Sequence, residues 1–428
     1  MFGPMISGVQ QTTNYRVVLP FYIYASISFF AGTILLLLHT EIFQVHFFNQ
    51  YTLAITHTMA LGWGTMIILG ASHQLLPVLI EGKLESNPLA YTTFFFTAIG
   101  IPLLVAGFYV FHTDGWVLKS GAVLVNIGVI FYLLNVYSSA FNSTTRNVHA
   151  WYILTASFWL FSTTFFGLLL VWNFNTPILP SDSVSYLTLH AHLGIVGWFL
   201  LMVIGVGSRL IPMFLISKYV NNKMLWWIFG LVNAGLISFI FLKLWNTPAV
   251  YYYFSVALIL AGVVLFGRHC IKAKNVRIRK GIDEQMKTSL LSVLQMLLPI
   301  AALLLVLLFL PADRYPNIGL LYGFCIFFGW ITAIILGMTF KTLPFIVWNK
   351  VYHKRAHAGK TPVPKDLFSE RVYHIMLLAY VSGFVVFIFG IIFINQLTLQ
   401  IGAVCLLAAA ALYLFNVGKT YFHQPEKV

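Results

Sequence analysis

Several histidines lie inside long apolar segments of this 428-residue chain, among them His57, His190 and His192. An ionisable or metal-ligating side chain within a membrane helix is costly and is usually functional. Neutral imidazole is a common ligand of metal ions and of haem iron. The three histidines are therefore the first candidates for ligating a metal or a cofactor.

Two of these histidines open a motif that occurs three times with the same spacing. Glycine, tryptophan, glycine, an aliphatic residue and proline follow the lead position at offsets of +5, +6, +13, +19 and +20. The lead residue is His57 in the first copy, His192 in the second and Phe324 in the third. The glycine, tryptophan and proline positions are Gly62, Trp63, Gly70 and Pro77, then Gly197, Trp198, Gly205 and Pro212, then Gly329, Trp330, Gly337 and Pro344. Such repetition indicates three related structural units.

The composition excludes a soluble globular domain. Hydrophobic residues make up 60% of the chain and charged residues only 8%, whereas ordinary globular proteins are about 25% charged. Twelve apolar runs reach the length of about 20 residues that a membrane-spanning helix needs. They are predicted near 15–39, 51–80, 88–112, 117–140, 148–173, 185–215, 224–244, 249–268, 287–310, 317–347, 371–395 and 398–416.

These runs predict an all-α integral membrane protein with twelve transmembrane helices in one domain over 1–428. We expect three pseudo-repeats of four helices, at about 15–140, 148–268 and 287–416. The motif then falls on the second, sixth and tenth helices. At about 100° per residue, the motif glycines and proline share one face. Small residues on one face favour close packing against a neighbouring helix.

The net charge of +14 does not indicate nucleic acid as a partner, because the basic residues are concentrated in alternate loops. They follow the predicted sixth, eighth and tenth helices: Lys218, Lys223, Arg268, Lys272, Lys274, Arg277, Arg279, Lys280, Lys350, Lys354, Arg355, Lys360 and Lys365. Loops rich in lysine and arginine lie on the cytoplasmic side of a membrane. The pattern predicts a multi-pass protein of a bacterial inner (plasma) membrane, surrounded by lipid, with both termini in the cytoplasm.

The segment from His190 to Pro212, HAHLGIVGWFLLMVIGVGSRLIP, resembles a helix of the haem–copper oxidase catalytic subunit, most closely the cbb3 type. In that family, one histidine of an H-x-H-x-G-x-x-G-W segment binds a high-spin haem and the other binds a low-spin haem. The family also has twelve helices in three groups of four. The chain looks similar, too, to a divergent branch of membrane proteins that respond to nitric oxide.

The chain departs from the family pattern in three ways. Its H-x-H pair lies in the second repeat rather than the third, where Tyr322 and Phe324 take those positions. The predicted seventh helix, 224–244, has no histidine to complete a copper site. All eleven carboxylates fall in predicted loops or at helix ends, so no carboxylate is available within the membrane to carry protons along a channel. The resemblance therefore implies haem b without a complete copper centre.

Three-fold symmetry suggests which histidines would hold the haem. His57 and the H-x-H pair lie at one depth on neighbouring helices, and His190 and His192 point about 200° apart. We expect a bis-imidazole haem between His57 and His190. His192 would then face the next pore, opposite Tyr322 or Phe324, although a His57–His192 pair stays open.

Further residues of the motif helices are candidates for contacts with the cofactor. Trp63, Trp198 and Gly194 lie near the histidines in sequence, although a tryptophan at this position is more often a packing residue than a cofactor contact. The histidines His57, His190 and His192 are also the predicted metal ligands.

The resemblance implies respiratory electron transfer, or the handling of nitric oxide or oxygen, by a haem-dependent oxidoreductase. Cytochrome c, a quinol or other respiratory subunits would be its partners. An alternative is a transporter or chaperone of copper or another metal, with Met59, Met66 and Met202 as soft ligands. A third interpretation is a scaffold subunit that keeps the fold without a cofactor.

Overall fold

The computed structural model describes residues 13–309, 316–353 and 361–425. Within them, twelve helices are long and apolar enough to cross a membrane, which confirms the predicted all-α membrane architecture. We number them α1 to α12: Tyr15–Leu38, Gln50–Leu79, Asn87–Val110, Trp116–Phe141, Val148–Asn173, Leu187–Phe214, Asn222–Leu244, Ala249–Asn275, Glu284–Leu304, Ile318–Tyr352, Glu370–Ile392 and Gln396–Tyr421.

Polar side chains at the helix starts explain where most of these helices begin. For eight of them, a cap side chain accepts a hydrogen bond from a backbone N–H of the first turn, a donor that the helix itself leaves unpaired. These caps are Asn14, Asn49, Ser86, Asn147, Asn221, Asp283, Ser369 and Asn395. The Asp283 cap starts α9 at Glu284, a few residues before its apolar run.

The three motif helices share a local distortion at the same register. A π-helical segment starts one residue after the lead position in each, at Thr58–Thr65 in α2, Leu193–Leu200 in α6 and Cys325–Ile331 in α10. A π-helical turn is wider than an α-helical turn and is frequent at functional sites. The repeat of whole four-helix groups stays a prediction, which this shared register supports.

The motif glycines let neighbouring helices approach closely. A Cβ added at either motif glycine of α2 would come closest to atoms of α1. A Cβ added at either motif glycine of α6 would come closest to atoms of α5. In α10, Gly337 meets α9 but Gly329 meets Phe384 of α11. The predicted common face is therefore wrong for the third copy, because Gly329 has a non-helical backbone conformation (φ −90°, ψ −112°).

Two tryptophan–threonine hydrogen bonds join the motif helices to one another. The indole N–H of Trp198 on α6 donates to the hydroxyl of Thr65 on α2 at 3.0 Å. That of Trp63 on α2 donates to Thr332 on α10, also at 3.0 Å. Each threonine lies eight residues after its lead position, where the second copy has Leu200 and so offers no third acceptor.

Candidate functional site

The predicted histidines meet at a cavity of about 400 Å³. It is bounded by α2 to α6, by α10 and by the loop that follows α1. Its lining is mostly aliphatic and aromatic, and it includes His57 from α2 and both His190 and His192 from α6. The structure thus brings together three imidazoles that lie up to 135 positions apart along the chain.

The His57 and His190 rings have a separation suited to one metal ion. Their centres are 6.4 Å apart and their planes differ by 25°. A metal–imidazole bond is about 2 Å long and the ligating nitrogen lies about 1 Å from the ring centre, so two axial imidazoles on one iron have centres about 6 Å apart. The observed distance between the ring centres is close to this value.

A backbone carbonyl sets the tautomer of His57. Its Nδ1 lies 2.8 Å from the carbonyl oxygen of Leu53. A carbonyl only accepts hydrogen bonds, so Nδ1 carries the proton and Nε2 keeps its lone pair. In metalloproteins, a hydrogen bond of this kind from the other ring nitrogen orients a ligating histidine. The ring also packs on Phe108 of α3, with centres 4.6 Å apart.

His190 is positioned by a glycine on the neighbouring helix. A Cβ added at Gly167 of α5 would lie only 2.7 Å from Cε1 of the His190 ring. The absence of a side chain at Gly167 therefore makes room for this imidazole. His190 Nδ1 is buried without a hydrogen-bond partner. Sequence reasoning missed Gly167 because nothing in the motif marks the facing position on α5.

His192 faces Tyr322, as predicted. Its Nδ1 lies 2.7 Å from the carbonyl oxygen of Thr188, so its Nε2 accepts a hydrogen bond from the Tyr322 hydroxyl at 3.1 Å. Phe239 of α7 packs on the ring with centres 4.7 Å apart.

His192 also lines both the first cavity and a second one of about 290 Å³. The prediction that His190 and His192 face wholly separate cavities is therefore wrong. The first cavity extends around α6 to α10, where His192 and Tyr322 together form part of the wall between the two spaces.

The other predicted contacts divide between the cavity and the packed core. Trp198 and Gly194 line the first cavity. Trp63 is not among its lining residues; its ring is fully buried and stacks on Phe29 of α1, with centres 4.6 Å apart. The contacts of Trp63 are therefore those of a packing residue.

The third copy of the motif is packed with aromatic side chains. In every copy, the ring of the lead residue packs on a phenylalanine of the next helix along the chain. For Phe324 this phenylalanine is Phe387 of α11, with ring centres 4.5 Å apart. Phe328 and Phe384 also pack on Phe324, at 5.1 and 5.6 Å. Phenylalanine thus takes the place where the first two copies offer imidazole.

Among the residues that the structure describes, no three or more His, Cys, Asp or Glu side chains cluster in a way that could hold a metal ion. Haem iron needs fewer ligands from the protein, since only its axial ligands are protein side chains. The His57–His190 pair can therefore meet the requirement of a haem with two imidazole ligands.

Comparison with known proteins found no family model that matches this chain and no curated protein that matches it. The function must therefore be inferred from the site itself, that is, from the geometry and chemistry of particular residues.

Proposed function

We propose that this membrane protein binds one b-type haem between His57 of α2 and His190 of α6. The observation that carries the proposal is the 6.4 Å separation of the two ring centres across an apolar cavity. The Nδ1–H of His57 donates to Leu53, which leaves the opposite nitrogen available for iron. The chain would belong to a divergent branch of the haem–copper oxidase superfamily that lacks a complete copper centre.

The residues around the site have distinct tasks in this proposal. His57 and His190 bind the iron, Gly167 keeps space for the His190 ring, and Phe108 holds the His57 ring in place. The apolar lining excludes water. A haem held by His57 and His190 would supply one-electron redox chemistry and could bind nitric oxide or oxygen.

The proposed role is respiratory electron transfer or the handling of nitric oxide or oxygen. In this role the protein would act as a haem-dependent oxidoreductase. Cytochrome c or a quinol would donate the electrons, and other respiratory subunits would be its neighbours in the membrane.

Optical spectra of the purified, detergent-solubilised protein test the haem assignment. We expect the sharp reduced bands of a six-coordinate b haem in the wild type after dithionite addition. His57→Ala and His190→Ala should both lose these bands. His112→Ala is a matched control, because that side chain is 70% exposed and does not line the cavity.

A colourless wild type from haem-replete cells would contradict the haem proposal. Metal analysis of the same preparations separates the remaining alternatives. Stoichiometric copper without a Soret band would support metal transport, and the absence of any metal would support a cofactor-free scaffold.

We also propose that the chain lies in a bacterial inner membrane with both termini in the cytoplasm. The proposal rests on the clustering of lysine and arginine in alternate loops. Alkaline phosphatase is active only outside the cytoplasm. A fusion after Asn246, between α7 and α8, should therefore be active, and a fusion after Ile278, between α8 and α9, should be inactive. The reverse result would invert the topology.

A further inference from the structure

The second cavity, of about 290 Å³, has no part in the proposed haem site. It lies among α6 to α10, and most of its lining side chains are apolar. Its volume is near the lower end of the range of about 300–1,000 Å³ that is typical of small-molecule sites. Because membrane-spanning helices surround it, the surrounding lipid is the nearest source of a ligand.

The two ends of this cavity differ in exposure. Thr188, Lys243 and Tyr252 lie near the start of α6, the end of α7 and the start of α8, which is one end of the helix bundle. Thr188 is exposed and the other two residues are half-buried. Leu200 and Met296 line the cavity near the middle of the bundle, and they are only 5% and 2% exposed. The cavity is therefore most accessible at the Thr188 end and most enclosed at the Leu200 end.

The depth of the cavity is about half the thickness of a membrane. Its lining residues on α6 extend from Thr188 to Leu200, and those on α8 extend from Tyr252 to Val263. At 1.5 Å of rise per residue, these stretches measure about 18 and 17 Å along the helix axes. The hydrocarbon core of a bilayer is about 30 Å thick, so each leaflet contributes about 15 Å of acyl chain. The cavity is thus deep enough for the acyl chain of a single leaflet.

Two polar pairs in the wall are bonded within the protein. The Tyr322 hydroxyl donates to His192 Nε2 at 3.1 Å. The hydroxyls of Ser255 and Ser238 lie 2.8 Å apart and share a hydrogen bond. Since these side chains already have partners, they need no polar group of a ligand beside them. A hydrocarbon chain can therefore pass them without leaving a buried polar group unpaired.

We propose that the second cavity binds one acyl chain below an anionic headgroup, that is, the chain of a fatty acid or of an anionic phospholipid. The headgroup lies at the Thr188 end, and the chain extends to Leu200 and Met296. Lys243 is the only lysine, arginine or carboxylate among the described lining residues, and it lies at the Thr188 end. Its positive charge favours a carboxylate or phosphate there over an uncharged headgroup.

Binding is tested by titration calorimetry on the full chain in digitonin, a detergent that has no acyl chain. We expect palmitate to bind saturably, with one palmitate per chain. Lys243→Gln should weaken the binding of palmitate several-fold and leave the binding of hexadecanol, which has no charge, unchanged. Equal losses for the two ligands, or no loss of palmitate binding, would contradict the anionic headgroup at this end.

The orientation of the chain is tested by fluorescence, because bromine quenches a tryptophan that it touches. Trp330 lines the cavity and lies eight residues further along α10 than Tyr322, toward the Leu200 end. Stearate brominated near its methyl end should quench Trp330 more than stearate brominated near its carboxylate. The difference between the wild type and Trp330→Phe isolates the emission of this residue. The opposite order of quenching would refute the orientation.

A pair of variants tests the location of the chain. Ile300 of α9 lines the cavity, so Ile300→Trp should fill it and abolish palmitate binding. Ile237→Trp on α7 is the matched control, because that side chain is 42% exposed and does not line the cavity. It should bind palmitate as the wild type does. No saturable binding to the wild type, or unchanged binding in Ile300→Trp, would overturn the site.

Mass spectrometry of the lipid extracted from the purified protein distinguishes the two sources of the chain. A retained phospholipid or a retained free fatty acid, present in the wild type and lost in Ile300→Trp, would each support the site and identify its occupant. The site is independent of the haem assignment, because it uses neither His57 nor His190. A protein that binds palmitate but shows no Soret band would refute the haem and leave the acyl-chain site in place.

Discussion

At the scale of single residues, the backbone prepares two of the three imidazoles for ligation. His57 and His192 each donate from Nδ1 to the carbonyl four residues earlier in the same helix, that of Leu53 or Thr188. Both therefore present Nε2 as an acceptor. His190 lacks such a contact, and its position depends on the space that Gly167 provides across the helix interface.

Gly167→Ala tests this dependence. The added methyl group would lie 2.7 Å from Cε1 of His190, so the imidazole must move while the fold is retained. We expect a several-fold loss of bound haem or a change from six-coordinate to five-coordinate bands, measured by the pyridine haemochrome assay and optical spectra.

The control for this substitution is Gly230→Ala on α7, where an added Cβ would meet no atom within 4 Å. That variant should keep the wild-type haem content. Equal haem content and identical spectra in both variants would show that Gly167 does not position His190.

At the scale of elements, α2, α6 and α10 share a π-helical segment at the same register, and hydrogen bonds join α2 to the other two. The Trp198–Thr65 and Trp63–Thr332 hydrogen bonds link α6 to α2 and α2 to α10. Hydrogen bonds between membrane helices and close packing stabilise such bundles, because lipid supplies little hydrophobic drive for association.

Thr332→Val tests the link between α2 and α10. It removes the acceptor of the buried Trp63 N–H, and a buried donor left unpaired costs about 1–3 kcal/mol. We expect the free energy of unfolding in detergent to fall by about this amount, measured by denaturant titration.

Thr92→Val on α3 is the matched control, since the Thr92 hydroxyl bonds only to carbonyls of its own helix. It should lose far less stability than Thr332→Val. Equal losses of unfolding free energy in the two variants would mean that the hydrogen bond between α2 and α10 does not stabilise the protein.

At the scale of the whole molecule, the three copies of the motif have different surroundings. The lead imidazoles of the first two copies line cavities of about 400 and 290 Å³. The third lead residue, Phe324, packs among Phe328, Phe384 and Phe387. Phe324 and Phe328 also line the first cavity, so the third copy borders that space with phenylalanine rings where the first two copies offer imidazole.

Phe324→Ala should show that this aromatic cluster stabilises the protein. Phe324 is only 3% exposed, and removing a buried phenylalanine ring costs about 3–5 kcal/mol where the structure cannot collapse into the space. A clear fall in the thermal unfolding midpoint is expected. Phe241→Ala, at a side chain that is 51% exposed, should have little effect. Similar midpoints for the two variants would contradict the prediction.

Much of the fold follows directly from local sequence. A run of about 20 apolar residues must form a helix to cross a membrane, since lipid cannot satisfy free backbone groups. The number of spans and their approximate bounds were therefore predictable. The functional candidates His57, His190 and His192 were predictable for a related reason, since such side chains are rare and costly in that environment.

The sequence by itself determined the twelve spans, the triplicated motif and the histidines that could bind a ligand. Only the tertiary structure decided that His57 and His190 have ring centres 6.4 Å apart, that His192 borders two cavities and that Trp63 packs in the core. Spacing along one helix specifies a direction around its axis. The distance between side chains on different helices depends on how closely those helices pack, which here is set by distant residues such as Gly167 and Phe108.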